Sequence, residues 1–236
     1  MINYFYHILE VKSLEILLSP KLCSTVPNIK VGIIHYNQIA VGDSPQMVKG
    51  RLQLFQESIF FDLADGKSVT DLTGIKEWRE IFKKTGKDPN RYRHAAEALF
   101  RRVQKQNYLQ PVHSAIDINN FFSLQYQVPI GIYDTEKISG NVELRIGSEN
   151  ESYSGLNGRE NSAHNLIIAA DDVGPFGSPF VDSARTSVTV DTTQALQIVY
   201  LGHSLDKNKC ASLTESLMNM FVQIHGGEAY YEIKGC

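Results

Sequence analysis

The residues best suited to chemistry fall in two places. Between Lys83 and Lys105 stand eight basic side chains (Lys83, Lys84, Lys87, Arg91, Arg93, Arg101, Arg102 and Lys105) against Asp88 and Glu97 alone, in a chain of 236 residues whose formal net charge is −3. Each Lys or Arg of such a cluster can neutralise a phosphate and release its counterion, the physical basis of nucleic-acid binding. The same composition also suits a solvated helix face, and Arg91 and Arg93 are spaced to pair with Glu97. The second place is Asp171-Asp172, which closes an apolar strand and is followed by Gly174-Pro175-Phe176-Gly177-Ser178-Pro179, then Ser183, Arg185 and Thr186. Paired carboxylates can act as acid and base or hold a metal, and a Gly/Pro loop lets a ligand approach backbone closely. The plainer alternative is an Asp pair that forms a turn, with the arginine as its ion-pair partner.

Other chemistries find no support. There is no Gly-x-Ser-x-Gly elbow, no dinucleotide or Walker loop and no His-Glu-x-x-His, and the 7 histidines stand without motif. No cofactor and no metal site are expected. Cys23, Cys210 and Cys236 are odd in number, far apart and without a Cys-x-x-Cys grouping, so they read as free thiols of a cytoplasmic protein. With 23 basic against 26 acidic residues, the chain is no general polybasic binder, and any contact with nucleic acid is local. The apolar stretch from Ile2 to Leu18 is broken by His7, Glu10, Lys12 and Glu15 and lacks the marks of a secretory leader. No run approaches the ~20 apolar residues of a membrane helix.

The elements that must position these residues follow from periodicity. Ile29 to Val41 reads as a strand. Asp43-Ser44-Pro45 then opens a helix carrying Val48, Leu52, Phe55, Ile59 and Leu63 and ending at Gly66. Thr73-Gly74 opens another, with Ile75, Trp78 and Phe82, closed by Gly86; helices over Arg93 to Asn107 and Ser114 to Tyr126 follow, the latter stopped by Val128-Pro129. Beyond Pro129 the texture becomes that of short strands: Ile130 to Tyr133, Val142 to Ile146, Leu166 to Ala170, Thr186 to Val190 and Ala195 to Leu201. The polar stretch Gly147 to Asn165 reads as a long loop, either mobile or functional. A helix through Leu213, Leu217, Met220, Phe221 and Ile224 and a strand Ala229 to Ile233 end the chain. Helices before Pro129 and an antiparallel or mixed sheet after it make an α+β fold, expected as one domain over 1–236.

Taken in order, Asp88-Pro89-Asn90-Arg91-Tyr92-Arg93, Glu97-Ala98-Leu99, Arg101-Arg102, Ile116-Asp117-Ile118-Asn119-Asn120-Phe121, Pro129-Ile130-Gly131-Ile132-Tyr133-Asp134, Gly140, Leu144-Arg145, Ala170-Asp171-Asp172 and Asp182-Ser183-Ala184-Arg185-Thr186 form a pattern. It resembles the tRNA-binding and editing domain of the phenylalanyl-tRNA synthetase beta subunit, its third and fourth structural domains, and more closely the free-standing bacterial proteins made of that domain alone. The match is clearest over 79–201.

That resemblance implies an α+β protein that handles the aminoacylated end of tRNA, with no aminoacylation domain. Its expected activity is deacylation of mischarged aminoacyl-tRNA in trans; the alternative is a non-catalytic tRNA- or protein-binding module with a decayed pocket. Asn120, Asp171, Asp172 and Arg185 are then the candidate catalytic residues. Asp117, Gly131, Ser183 and Thr186 would bind substrate, and Arg91, Arg93, Arg101 and Arg102 would bind tRNA. Neither DNA nor membrane is an expected partner. Two positions depart from the synthetase pattern: the pocket histidine falls on Gly131, and the pocket glutamate falls on Gln197 or Ile198.

Overall fold

The computed structural model describes residues 14–64 and 66–236. Most of the N-terminal apolar stretch therefore lies outside the described residues. The elements run β1 (Ile16–Leu18), α1 (Pro20–Thr25), β2 (Lys30–Asn37), α2 (Gln46–Ala64), α3 (Thr73–Thr85), α4 (Ala95–Gln104), α5 (Ser114–Tyr126), β3 (Ile130–Asp134), β4 (Val142–Ile146), β5 (Ser152–Ser154), β6 (Glu160–Ser162), β7 (Ile167–Asp171), β8 (Gly174–Gly177), β9 (Gln194–Gly202), α6 (Lys207–His225) and β10 (Glu228–Gly235). The fold is α+β, and no described helix is long and apolar enough to cross a membrane.

An antiparallel sheet in the order β10-β2-β9-β3 occupies the centre. Its strands alternate, but both faces are apolar because both are covered. Val31, Ile33, Leu196, Ile198 and Tyr200 point toward a second, mixed sheet, β1-β4-β7-β8, and toward Trp78 and Phe82 of α3. Ile34, Tyr36, Ile132, Ala195 and Val199 point the other way, under α5 and α6. A third cluster joins α2, α3, α4 and α5 through Leu52, Ile59, Ile75, Phe100, Val103 and Leu124. The Trp78 indole donates to the Tyr200 carbonyl at 3.1 Å, which locks α3 to β9.

The helices end where their residues dictate. Gly86 takes a left-handed φ of 90° and returns its N–H to Lys83 and Phe82, while Lys83 and Lys84 favour the negative end of α3. At the other end of α3 a Cβ on Gly74 would lie 2.6 Å from the Gln127 carbonyl oxygen, so only glycine lets α3 meet the end of α5 there.

Three local expectations differ from the structure. Thr186–Val190 forms no strand beyond a single bridge of Ser187 to Tyr133. Local side-chain bonds stand in for the ladder there, as Ser187 donates to the Ala184 carbonyl and the Thr189 N–H is taken by the hydroxyl of Thr192 beyond it. The 147–165 stretch is not a featureless loop but carries the β5–β6 hairpin. Cys23 and Cys236 are not free thiols; a disulfide joins α1 to the end of β10 across 213 residues of sequence, leaving Cys210 free and buried. Spacing alone could not pair them, because it is the antiparallel match of β10 with β2 that carries residue 236 back to residue 29, where the Cys236 N–H meets the Ile29 carbonyl at 3.2 Å.

Candidate nucleic-acid interface

Arg91, Arg93, Arg101 and Arg102 converge on one groove of about 550 Å³, joined there by Lys105, Asn157, Phe180 and Val181. Its two walls are built separately. On one side, the Asp88-Pro89-Asn90 turn sets Arg91 and Arg93 on the rim: the Asp88 carboxylate accepts the Asn90 N–H at 2.9 Å, and the Asp88 carbonyl accepts the N–H groups of Arg91 and Tyr92. Lys87 anchors that turn from inside, donating to the His164 carbonyl at 2.6 Å with its ammonium over the Tyr92 ring at 4.1 Å. Burial, and then the charge of Arg91, push the Lys87 ammonium below the ordinary lysine range.

Helix α4 supplies Arg101 and Arg102. Its first turn is capped by the His94 ring, whose Nδ1 accepts the Glu97 N–H at 3.4 Å, and by the Pro179 carbonyl, which accepts the Ala95 N–H at 2.7 Å. That second bond carries the opposite wall, because it places Phe180 and Val181 beside α4. Ser178 fixes their backbone by accepting both N–H groups, and the Tyr153 hydroxyl donates to the Val181 carbonyl at 2.8 Å.

Glu97 is fully buried and takes Arg79 through both carboxylate oxygens at 3.0 Å and Arg101 at 2.8 Å. The partners of Glu97 are therefore Arg79 and Arg101, not Arg91 and Arg93. Arg91, Arg93 and Arg102 are exposed and form no ion pair among the described residues. Three cations free of acidic partners on one concave surface make a site for polyanions.

The second set of candidates lies elsewhere. Asp171 and Arg185 meet in a bidentate pair, at 2.8 and 3.0 Å, at the β7–β8 turn. Asp171 also accepts the N–H groups of Ser139, Val173 and Gly174. Burial opposes its charge, but Arg185 and these donors outweigh that and hold the carboxyl below its usual range. Asp172 is exposed beside Gly140. Ser183 donates to the Ser154 carbonyl and accepts the Arg185 N–H, and the Thr186 hydroxyl is buried without a partner among the described residues. These residues share the mixed sheet's side of the molecule. Among the described residues no three His, Cys, Asp or Glu side chains group to hold a metal.

Asp117 and Asn120 lie on α5, across the central sheet. Asp117 is buried, accepting from the Ser44 hydroxyl at 2.5 Å and the Val112 N–H at 3.0 Å, so it ties the start of α5 to two loops. Asn120 is half-buried and its side chain makes no hydrogen bond among the described residues, whereas its neighbour Asn119 accepts from Gln197, whose own oxygen accepts the Tyr36 hydroxyl at 2.7 Å. Gly131 pairs with Ile198 on the opposite face of the sheet, and a Cβ there would overlap the Tyr133 hydroxyl. That hydroxyl donates to Asp182 at 2.7 Å. Burial pushes the Asp182 carboxyl up to about 7, against the hydrogen bonds from Tyr133 and the Ser178 N–H, which favour its charge.

Inspection of the sequence missed Phe180, Val181 and Asn157 in the groove and the Asn119–Gln197–Tyr36 chain. The only hint was Pro179, which precedes Phe180 in the Gly/Pro loop.

The chain is 33% identical over 214 residues to the uncharacterized protein YhzB of Bacillus subtilis, an alignment spanning 91% of this chain and 96% of that one. It is 37% identical over 70 residues to the phenylalanine–tRNA ligase beta subunit of Bartonella henselae, and 31% over 68 residues to that of Paramagnetospirillum magneticum. Each of these two matches covers 28% of this chain and 8% of the ligase subunit. An N-terminal fragment of the phenylalanyl-tRNA synthetase beta subunit from Pyrococcus horikoshii aligns over 94% of this chain and 54% of its own, with a TM-score of 0.45 and 14% identity. Residues 77–217 match the B3/4 domain. The chain belongs to the B3/4 domain family.

Proposed function

We propose that this protein binds tRNA through the groove between α4 and the 178–183 loop, as a non-catalytic module. The observation that carries the reading is the convergence of Arg91, Arg93, Arg101 and Arg102 on one concave surface, three of them without acidic partners among the described residues. The name of the ligase subunits, which act on tRNA, supplies the class of polyanion. Phosphates sit on Arg91, Arg93 and Arg102, while Glu97 holds Arg101 at the groove's edge as a fixed donor.

Deacylation of a mischarged aminoacyl ester asks for more than binding. It needs a held water and donors aimed at the developing oxyanion, within reach of one reacting carbon. Asn120 stands on one side of the central sheet, and the Asp171–Arg185 pair on the other, already satisfied by each other and by backbone. The space beside Gly131 is taken by Tyr133. On this geometry binding outlives hydrolysis.

The experiment is a pair of measurements on one preparation: anisotropy titration of labelled tRNA, and single-turnover ester loss from tRNAs charged with different amino acids. Saturable binding with ester decay at the uncatalysed rate is the expected result. Protein-dependent ester loss would restore the trans-editing reading, and absence of tRNA binding would remove both.

A further inference from the structure

Strand β10 forms an edge of the central sheet. Among the described residues it pairs only with β2, and its outer side carries no strand. A free edge of eight residues is a template for another strand, and proteins usually shorten, cover or bulge such edges. Here it is held straight from both ends. Gly226 and Gly227, with φ of 67° and 75°, turn the chain tightly out of α6, and the Cys23–Cys236 disulfide pins the last residue. Lys234 adds a bond to the Ile16 carbonyl at 2.6 Å. One face of the strand, Ala229, Tyr231 and Ile233, is apolar and half-buried against α6; the other carries Glu228, Tyr230, Glu232 and Lys234.

We propose that β10 is a homodimer interface, pairing antiparallel with β10 of a second copy so that two four-stranded sheets become one of eight strands. Symmetry and charge choose the register. A two-fold axis normal to the sheet keeps like faces together, so the axis must pass through a residue, not between two. Centred on Tyr230, the register sets Glu228 opposite Glu232 of the second copy; centred on Glu232, it sets Glu232 opposite itself. Like charges directly opposite repel. Centred on Tyr231, it sets Glu228 opposite Lys234, Tyr230 opposite Glu232 and Ala229 opposite Ile233, each twice by symmetry. That centre also opposes the strand along nearly its whole length. Tyr230 is 59% exposed in the single chain, its ring stacked on His35 at 4.7 Å, and it would be covered by the pairing.

Sedimentation velocity across the micromolar range tests this, with Glu228→Gln and Glu228→Lys; Lys234 is left in place because it bonds the Ile16 carbonyl and pairs with Glu232 of its own strand. Glu228 is exposed and makes no ion pair within its own chain among the described residues, so its reversal leaves the fold intact. The parent should sediment as a dimer. Glu228→Gln, which removes the charge, should weaken dimerisation several-fold, and Glu228→Lys, which sets like charges opposite, roughly tenfold or more. A parent that stays monomeric, or a dimer indifferent to Glu228→Lys, overturns the proposal. Unchanged melting of Glu228→Lys confirms that a loss of dimer is not a loss of fold.

Discussion

Asp182 is a carboxylic acid beside phenols, and among the described residues it forms no ion pair. Tyr133 donates to it, the Tyr153 and Tyr200 phenols lie close enough to feel its charge, and the Ser178 N–H donates at 3.4 Å. With its carboxyl raised to about 7 while the unfolded chain's stays near 4, the native state keeps a proton that the unfolded state releases. Its contribution to stability is whole below pH ~4 and falls as pH rises toward 7. His94 runs the opposite way in the same window. Burial drops its imidazole to about 4, so its contribution is complete above pH ~6.5 and fades as pH falls. The two nearly cancel in the parent, and a difference measurement separates them. Asp182→Asn, which keeps an acceptor for Tyr133, should gain stability relative to the parent as pH rises from 4 to 7, by a few kcal/mol in all. Chemical denaturation of both proteins at several pH values checks the sign, and a difference that stays flat contradicts it. Arg185 belongs to the same scale. Arg185→Ala leaves the buried Asp171 carboxylate to its backbone donors and should cost about 1–3 kcal/mol, seen as a melting point lower by a few degrees, with tRNA affinity unchanged. A tRNA-binding loss without a stability loss would make Arg185 a ligand-contacting residue instead.

At the scale of elements, β10 is held by β2 along its length and by the disulfide at its end. Reduction or Cys236→Ser should cost about 2–5 kcal/mol, because the cross-link closes nearly the whole chain into a loop that the unfolded state must keep closed. Denaturant midpoints with and without reductant measure it, and identical midpoints would mean that the strand is held by its ladder alone. Long elements were legible in the sequence for plain reasons. Ser114–Tyr126 is stopped by Val128-Pro129, Val142–Ile146 alternates between Gly140 and Gly147, and Gly86 and Gly226 mark true helix ends. The short strands β5, β6 and β8 read Ser-Tyr-Ser, Glu-Asn-Ser and Gly-Pro-Phe-Gly, too short and too polar for a period to show in the sequence, and only their partners make them strands. At the groove, the basic cluster was visible but its pairing was not. Arg79, Arg91, Arg93 and Arg101 all fall within plausible reach of Glu97, and it is the turn between α3 and α4, where Arg79 also bonds the Pro89 carbonyl and the Asn90 side chain, that brings Arg79 there and leaves Arg91 and Arg93 on the rim. Phe180 and Val181, some eighty residues onward, reach the groove through one hydrogen bond from Ala95 to Pro179.

The whole molecule is a mildly acidic body with a cationic groove. A net charge of −3 repels RNA at long range, so binding must come from the local field of Arg91, Arg93, Arg101, Arg102 and Lys105 and must be screened readily by salt. The central claim is that these side chains contact tRNA phosphates. It is tested most directly by the slope of log affinity for tRNA against log salt, measured for the parent and for Arg91→Glu/Arg102→Glu. Arg101 is left in place because Glu97 depends on it. The parent should show a slope of about −2 to −4, and the double variant should bind more weakly with a slope flatter by about 2, at an unchanged melting temperature. Equal affinity and equal slope in the two proteins would contradict the account and return the groove to an ordinary solvated surface.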